Sequence, residues 1–304
     1  AGDPNINCNS KSSYYQDMLA WFTPYRDHHA VAQYRAINDY FCFDAPINSM
    51  LFMDFHDELS LTCEPSEYLC LRAGSKQNWM DFYKGLQDFA RVTAFKRFYD
   101  DHSDYYQQAI EKVTAINGAC DPATELESYI GLEAEQYTLR FSPLQNCGYA
   151  GGNVPESGDV SCTIGFDHNE ENDRAEICLR VYLWHEFAHV FVNPIIDDCM
   201  AQNSADWQRF EKYISSLNID PQKYPEVNNY ETFIRAITYK LNEKYYGINE
   251  AEGILKWDEE QGFIHVRHIV KTLDNYEIAR EKMGVNINEY FPALLKEIID
   301  ISKT

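Results

Sequence analysis

The chain has 304 residues, of which 45% are hydrophobic and 14% aromatic, a composition typical of a globular protein and not of a disordered one. Its 26 basic and 48 acidic residues leave a net charge of −22, which argues against nucleic-acid binding through a basic patch and against electrostatic attachment to anionic membranes. No stretch approaches the roughly 18 uninterrupted apolar residues of a membrane helix, so no integral membrane segment is predicted.

The first half of the chain is predicted to be mainly helical. Amphipathic or aromatic-rich stretches at about residues 12–40 and 78–115 predict helices. The apolar run from Met50 to Phe55 predicts a short strand between them.

Two strands are predicted after the helical half. The segments Tyr137–Phe141 and Val160–Phe166 alternate in polarity or are rich in β-branched residues, and a Gly-rich and Pro-containing turn separates them. We therefore expect a small antiparallel sheet. The edge of a strand can bind an extended peptide through main-chain hydrogen bonds, and Val160–Phe166 is the strand expected to offer such an edge.

The most informative pattern is HExxH, formed by His185, Glu186 and His189. Two imidazoles four residues apart lie one turn apart on one face of a helix, where both can bind one zinc ion, and the glutamate can take a proton from an attacking water. The helix is apolar on nearly every face, which predicts burial. Buried histidines and a buried glutamate are costly without a partner such as a divalent cation. Pro194 is expected to end the helix.

The rest of the chain is predicted to be helical again, over residues 205–217, 226–246, 265–283 and 287–301. A catalytic zinc ion usually has three protein ligands, so a third must come from outside the motif. A metzincin would have histidine six residues after His189, but Ile195 stands there. Glu231, at the border of the apolar face of the helix over 226–246, is the preferred third ligand.

Two alternatives to this ligand stay open. Glu231 lies one turn before Arg235, so the two could form an ordinary surface ion pair. Asp197 or Asp198 could supply the third ligand if the chain turned back directly after the motif. Arg235 could also hold Glu231 or a carboxylate of the substrate. Asn193 follows His189 by four residues and could orient it, although an Asn-Pro turn explains this asparagine equally well.

A donor is also needed for the oxyanion that forms when water attacks a carbonyl. The sequence does not choose among several side chains, each of which is more typical of packing or surface positions when taken singly. These side chains are Tyr239, Tyr245, Tyr246, His265 and His268.

The string HEFAHVFVNP at residues 185–194 resembles the HEFxHxFVNP signature of a large family of secreted bacterial proteins, a domain of unknown function predicted to comprise gluzincin-type metallopeptidases. Glu231, followed by Arg235 and an alanine, resembles a glutamate and Arg-Ala pair on a helix of that family. The stretches 14–45 and 89–106 resemble its upstream segments. The resemblance implies a zinc-peptidase fold with no established substrate, and nine cysteines are more than it leads us to expect.

The nine cysteines include no CxxC pair, which indicates an oxidising compartment and not a zinc knuckle or redox motif. We therefore expect a secreted, cell-surface or periplasmic protein whose signal peptide or lipid anchor has been removed. Three sequence-near pairs are expected to form disulfides, and one cysteine near the N-terminus is expected to stay free because the number is odd. The pairs are Cys63 with Cys70, Cys147 with Cys162, and Cys178 with Cys199, and the free cysteine is Cys8.

These features predict an α+β, mostly helical, zincin-like protein with a small antiparallel sheet beside the motif helix and a helical C-terminal part. Residues 1–135 are expected to form a mainly helical lobe and residues 136–304 the catalytic region, within one compact unit. The predicted function is zinc-dependent hydrolysis of a peptide or protein substrate, with Zn²⁺ on His185, His189 and Glu231 and with Glu186 as general base. Two alternatives are a non-catalytic binding or structural protein on a peptidase scaffold, and a zinc hydrolase that acts on other bonds.

Overall fold

The computed structural model describes residues 12–42, 45–56, 58–119, 121–144, 159–165, 173–217 and 225–301. Within these ranges the chain is mostly helical with two small two-stranded sheets, which confirms the predicted α+β composition. The chain divides into two compact units, one comprising residues 1–120 and 135–179 and the other residues 121–134 and 180–304. Neither unit is a single continuous stretch of sequence.

The described part of the first unit contains seven complete α-helices, the first residues of the motif helix and a 3-10 turn at Thr23–Tyr25. Serine side chains cap several of these helices by accepting a backbone N–H, as Ser66 and Ser75 do. A short antiparallel ladder pairs β1 (Met53–Asp54) with β2 (Ser60–Leu61). The helices are α1 (Ser13–Phe22), α2 (His29–Ile37), α3 (Ala45–Met50), α4 (Glu67–Arg72), α5 (Lys76–Val92), α6 (Phe95–Asp101) and α7 (Ser103–Ala119).

The helical stretch predicted over 78–115 is thus three helices. The first break follows Thr93, whose hydroxyl donates to the carbonyl of Phe89, and Ala94 then adopts a left-handed conformation with φ of 52°. A left-handed non-glycine residue interrupts the helical hydrogen-bond ladder, so α6 starts in a new direction. Aromatic residues of α6 pack against α1, as Phe98 does against Phe22 with ring centroids 5.0 Å apart.

The two longer strands, β3 (Gln136–Ser142) and β4 (Asp159–Gly165), are parallel, so the predicted antiparallel pairing is wrong. Antiparallel neighbours can be joined by a tight hairpin, whereas a parallel pair needs a connection of about a dozen residues or more, and the stretch from 143 to 158 is long enough. Residues 160–164 of β4 are all buried, on both strand faces, as is usual in parallel sheets. The predicted position of this sheet beside the motif helix stays a prediction.

The second unit is entirely helical in its described part. Four of its helices coincide closely with predicted ones, whereas α8 was not predicted, and neither was α12. It starts directly after Gly247, whose φ of 90° favours glycine, and its buried face holds only a few residues, including Ala251 and Leu255. The helices are α8 (Pro122–Ile130), α9 (Asp173–Gln202), α10 (Ala205–Leu217), α11 (Pro225–Tyr246), α12 (Ile248–Glu260), α13 (Val266–Met283) and α14 (Ile287–Ile301).

The motif helix α9 does not end at Pro194, contrary to the prediction, but continues to Gln202. An internal proline removes one helical hydrogen bond and normally kinks or breaks a helix. Here the two residues after the proline, Ile195 and Ile196, are 7% and 0% exposed. We attribute the continuation to this burial, which offsets the lost hydrogen bond.

The predicted disulfides are not formed where the structure describes them. Cys63 and Cys70 are both free thiols, although they lie close in sequence, because sequence distance alone does not bring Cβ atoms into bonding geometry. Cys199 is also free. It lies on the same continuous helix as Cys178, and about six helical turns separate two such positions, far beyond the span of a disulfide. Cys8 and Cys147 lie outside the described residues.

A buried ion pair anchors the motif helix within the second unit. Arg180, on α9, and Glu125, on α8, are each 9% exposed, and the Arg180 Nε donates to Glu125 Oε2 at 2.8 Å. The indole N–H of Trp184, one residue before the motif, donates to the same carboxylate oxygen at 3.1 Å. Because unpaired buried charges are strongly unfavourable, this pairing holds the start of the motif in place. None of the described helices is long and apolar enough to cross a membrane.

Candidate metal centre

The structure brings His185, His189 and Glu231 together inside the second unit. The two histidines lie one turn apart on α9, and their Nε2 atoms are each 3.4 Å from a different oxygen of the Glu231 carboxylate, on α11. One ligand atom from each of the three residues falls within 4.8 Å of the other two. A zinc ion binds nitrogen and oxygen ligands at about 2 Å, so ligand atoms around it lie about 3 to 4 Å apart. The spacing therefore fits one such ion.

The hydrogen-bond state of Glu231 supports the same interpretation. The carboxylate is largely buried, and its Oε2 atom has no hydrogen-bond partner among the described residues. Arg235 approaches the same oxygen to 2.8 Å, as an ion pair without hydrogen-bond geometry. Arg235 therefore gives this oxygen a positive charge but no hydrogen bond, and a metal ion could bind the lone pair that stays available. The donor set of two imidazoles and one carboxylate is one that zinc prefers.

The charges around the site also favour a divalent cation. Arg235 contacts two carboxylates, those of Glu231 and Asp258, and Glu186 lies close enough to His189 to act on it electrostatically. Three carboxylates and one guanidinium give these four side chains a summed charge of −2 when the histidines are neutral. A divalent cation carries the opposite charge.

The pKa directions describe a site that attracts positive charge. Burial by itself would raise the pKa of Glu231, but the histidines and Arg235 outweigh it and hold this pKa well below its usual range. Burial would lower the pKa of His189, but Glu231, Glu186 and Asn193 together raise it above the usual value. Without a metal, His189 therefore keeps its proton up to a higher pH than an ordinary imidazole does. A cation that binds there must displace this proton, so metal affinity should fall as the pH becomes acidic.

A family model described as Domain of unknown function (DUF4932) matches residues 5–297 of the chain. The chain belongs to this family. The match confirms the resemblance to a family of unknown function, and the description of DUF4932 assigns it no activity. Comparison with curated proteins and with solved structures found no match. The chemistry of this DUF4932 protein must therefore be inferred from its own residues.

The two rival third ligands lie apart from the histidine pair. Asp197 and Asp198 follow on the same helix, and both are exposed. Asp197 accepts a hydrogen bond from the hydroxyl of Tyr230. Neither aspartate belongs to the group of side chains that meet at His185 and His189. Because α9 continues through Pro194, the reversal of the chain that would bring these aspartates back does not occur.

Asn193, one turn after His189, is placed to orient its ring. The Asn193 Oδ1 lies 3.2 Å from His189 Nδ1. If the amide oxygen accepts a hydrogen from Nδ1, the lone pair of the ring stays on Nε2, the nitrogen that faces Glu231. The alternative of an Asn-Pro turn does not apply, because these residues lie inside a helix.

Replacing Asn193 with Ala is expected to weaken zinc binding by about tenfold, because the ring of His189 then loses the acceptor that selects its tautomer. Zinc affinity measured by competition with a chromophoric chelator would test this. Asn193→Asp should bind zinc as well as the wild type, because it keeps an acceptor oxygen. Equal affinity of the Ala variant and the wild type would show that Asn193 does not orient the ring.

The side chains considered as oxyanion donors have other partners. Tyr239 donates to Glu252 at 3.0 Å, and His268 contacts the hydroxyl of Tyr213. His265 is fully buried against Thr232, and burial, with smaller contributions from His268 and Arg235, lowers its pKa to about 4. The tyrosines at 245 and 246 pack around Trp184 and Arg180. These contacts favour packing roles for all five.

A second group of possible metal ligands lies in the first unit, where His28 and His29 face Asp88. The His28 Nε2 and the His29 Nδ1 lie 3.2 Å and 3.8 Å from Asp88 Oδ2. However, the His28 Nδ1 accepts the backbone N–H of Ala30 as the N-cap of α2. In the neutral ring the hydrogen then lies on Nε2, which leaves that nitrogen no lone pair for a metal. We interpret this group as a helix cap paired with a carboxylate.

The structure also shows a residue of the site that sequence reasoning missed. Asp258, on the unpredicted helix α12, is 2% exposed and pairs with Arg235. A buried aspartate in a polar stretch gives no pattern that distinguishes it from surface aspartates. Its position could have been suspected only if α12 had been recognised as a packed helix.

Proposed function

We propose that this DUF4932 protein is a zinc-dependent peptidase in which His185, His189 and Glu231 hold the metal and Glu186 is the general base. The observation that carries the proposal is the convergence of the two imidazole Nε2 atoms on one buried carboxylate, each at 3.4 Å. Two histidines and a glutamate, with a further glutamate between the histidines, form the ligand and base set of a metal-assisted hydrolase. The zincin-like character of the fold is part of this proposal.

The residues of the site would have different roles in the reaction. A bound zinc ion would polarise the scissile carbonyl and favour deprotonation of the attacking water. Glu186, half-buried beside His185, would take the proton of that water and then pass it to the leaving amine. Asn193 would hold the ring of His189, and Arg235 would hold Glu231. The substrate would be a peptide or protein.

We also propose that the protein acts outside the cytoplasm. Secretion, or a cell-surface or periplasmic location, was expected from the number of cysteines and from the resemblance. Cys63 and Cys70 are free thiols, so the part of the argument that rested on their pairing no longer holds. The proposal of an exported protein therefore depends on the resemblance.

The metal content of the purified protein tests the proposal directly. We expect about one zinc ion per chain in the wild type. We expect none in His185→Ala, because this variant lacks one of the three protein ligands. His29→Ala is the matched control, since His29 belongs to the other histidine group and should leave the metal content unchanged. If the wild type holds no zinc after incubation with zinc and dialysis to remove the excess, the proposal is wrong.

Peptide cleavage then separates the proposal from its two rivals. A zinc-loaded protein that cleaves an unbiased peptide library, and loses this activity with a chelator, would support a peptidase. Zinc binding with hydrolysis of esters or other bonds alone would indicate a non-peptidase hydrolase. Zinc binding without any hydrolysis would indicate a binding or structural role on this scaffold.

A further inference from the structure

We propose that Asp258 is a positioning residue for the metal centre, acting through Arg235 to keep the Glu231 carboxylate available to the metal. This inference rests on the proposed function, because it gives Asp258 a role only if His185, His189 and Glu231 bind a metal. It names a residue from a helix that carries no part of the HExxH motif.

A series of side-chain contacts connects helix α12 to the proposed metal ligand Glu231. The Arg235 Nη1 contacts Asp258 Oδ1, and the Arg235 Nη2 lies 2.8 Å from Glu231 Oε2. The guanidinium carbon lies 4.1 Å from the ring centroid of Phe263, which covers its face. Arg235 is therefore held at both ends and on one side, and its orientation relative to Glu231 is set by these neighbours.

Because Arg235 is positively charged, a second carboxylate is needed to limit its pairing with Glu231. Arg235 and a metal ion compete for the same carboxylate, since both are cations next to Glu231 Oε2. Asp258, whose side chain is 3% exposed, binds the other end of the guanidinium and shares its charge. Without Asp258, the described contacts of Arg235 would include only one carboxylate, that of Glu231. The guanidinium would then move towards bidentate pairing with Glu231 and compete more strongly with the metal.

Burial adds to this effect. Electrostatic interactions are stronger in a poorly solvated site, and Asp258 is close enough to act on both His185 and Glu231. Removing its charge changes the balance at the ligands as well as the position of Arg235. Partners that only orient metal ligands typically change metal affinity by about 10 to 100-fold when they are lost.

The neighbouring residue on the same helix provides a matched control. Glu259 follows Asp258 on α12 and also pairs with an arginine, with its Oε1 2.7 Å from Arg267 Nε, but Arg267 does not contact the metal ligands. Glu259→Gln therefore removes the same charge from the same helix without touching the site. A general effect of charge or helix stability would appear in both variants.

The experiment compares zinc affinity, by chelator competition, in the wild type, Asp258→Asn, Glu259→Gln, Arg235→Met and the double variant Arg235→Met with Asp258→Asn. We expect Asp258→Asn to weaken zinc binding by about 10 to 100-fold and Glu259→Gln to leave it unchanged. In the Arg235→Met background, Asp258→Asn should have a clearly smaller effect than in the wild type, because most of its effect acts through the arginine. The absorption bands of the Co²⁺-loaded protein should change in Asp258→Asn, which reports the ligand geometry.

The outcomes separate this inference from the proposed function. If the wild type binds zinc and His185→Ala does not, but Asp258→Asn binds as tightly as Glu259→Gln, Asp258 has no positioning role while the metal centre stands. If the wild type binds no zinc, the proposed function itself is wrong. If Asp258→Asn fails to fold by circular dichroism, Arg235→Met and the double variant decide, since a loss of affinity of about 10-fold or more on adding Asp258→Asn to Arg235→Met would contradict action through Arg235.

Discussion

Glu186→Gln is expected to lower kcat for peptide hydrolysis by about 10² to 10⁴-fold while leaving zinc binding unchanged. The amide has nearly the shape of the carboxylate, but it cannot accept the proton of the attacking water. Glu186 is not a proposed ligand, and the three side chains that converge on the site remain in place. The measurement is hydrolysis of a cleaved peptide at saturating substrate, alongside the zinc content of the same sample.

Asp198→Asn is the matched control for this substitution, because Asp198 is an exposed carboxylate on the same helix. It should keep both activity and zinc. Undiminished hydrolysis by Glu186→Gln would rule out Glu186 as the base. Loss of zinc together with activity would instead assign Glu186 a role in metal binding.

The second large effect is expected at the third ligand. Glu231→Gln should weaken zinc binding by more than about 100-fold, beyond the range of residues that only orient ligands. The amide keeps the volume of the side chain but removes the charge that the two histidines face. Arg235 keeps its contact with Asp258, so the fold should be retained, as thermal unfolding followed by circular dichroism would show.

The rival ligands provide the comparison. Asp197→Asn and Asp198→Asn should bind zinc with wild-type affinity, because both aspartates are exposed and stand apart from the histidine pair. Strong loss of zinc in either variant, with normal binding by Glu231→Gln, would assign the third ligand to that aspartate. The ligand set of the proposed function would then have to be revised.

Much of the helical structure could be predicted because its periodicity is local. Helix α13 (Val266–Met283) follows the predicted 265–283 closely, and its buried residues Ile269, Leu273 and Tyr276 recur at helical spacing. Helix α12 was missed because its buried face includes Asp258, a charged residue that a periodicity argument counts as solvent-facing. The pattern was therefore too weak to distinguish a packed helix from a polar connection.

The sequence by itself determined which residues share a face within one helix. The spacing of His185 and His189 places both one turn apart on α9, whatever the rest of the chain does. The regular apolar positions likewise determined most of the C-terminal helices. These features depend on backbone geometry within a single element, which neighbouring residues specify almost completely.

The tertiary structure alone decided how separate elements meet. It made β3 and β4 parallel, carried α9 through Pro194, kept Cys63 and Cys70 apart, and placed Asp258 against Arg235. Each of these outcomes depends on the packing free energy of many residues distant in sequence, which can outweigh a local preference such as that of proline to end a helix. For the same reason the approach of Glu231 to the histidine pair could be hypothesised from the sequence, but its distances follow only from the packing of α11 against α9.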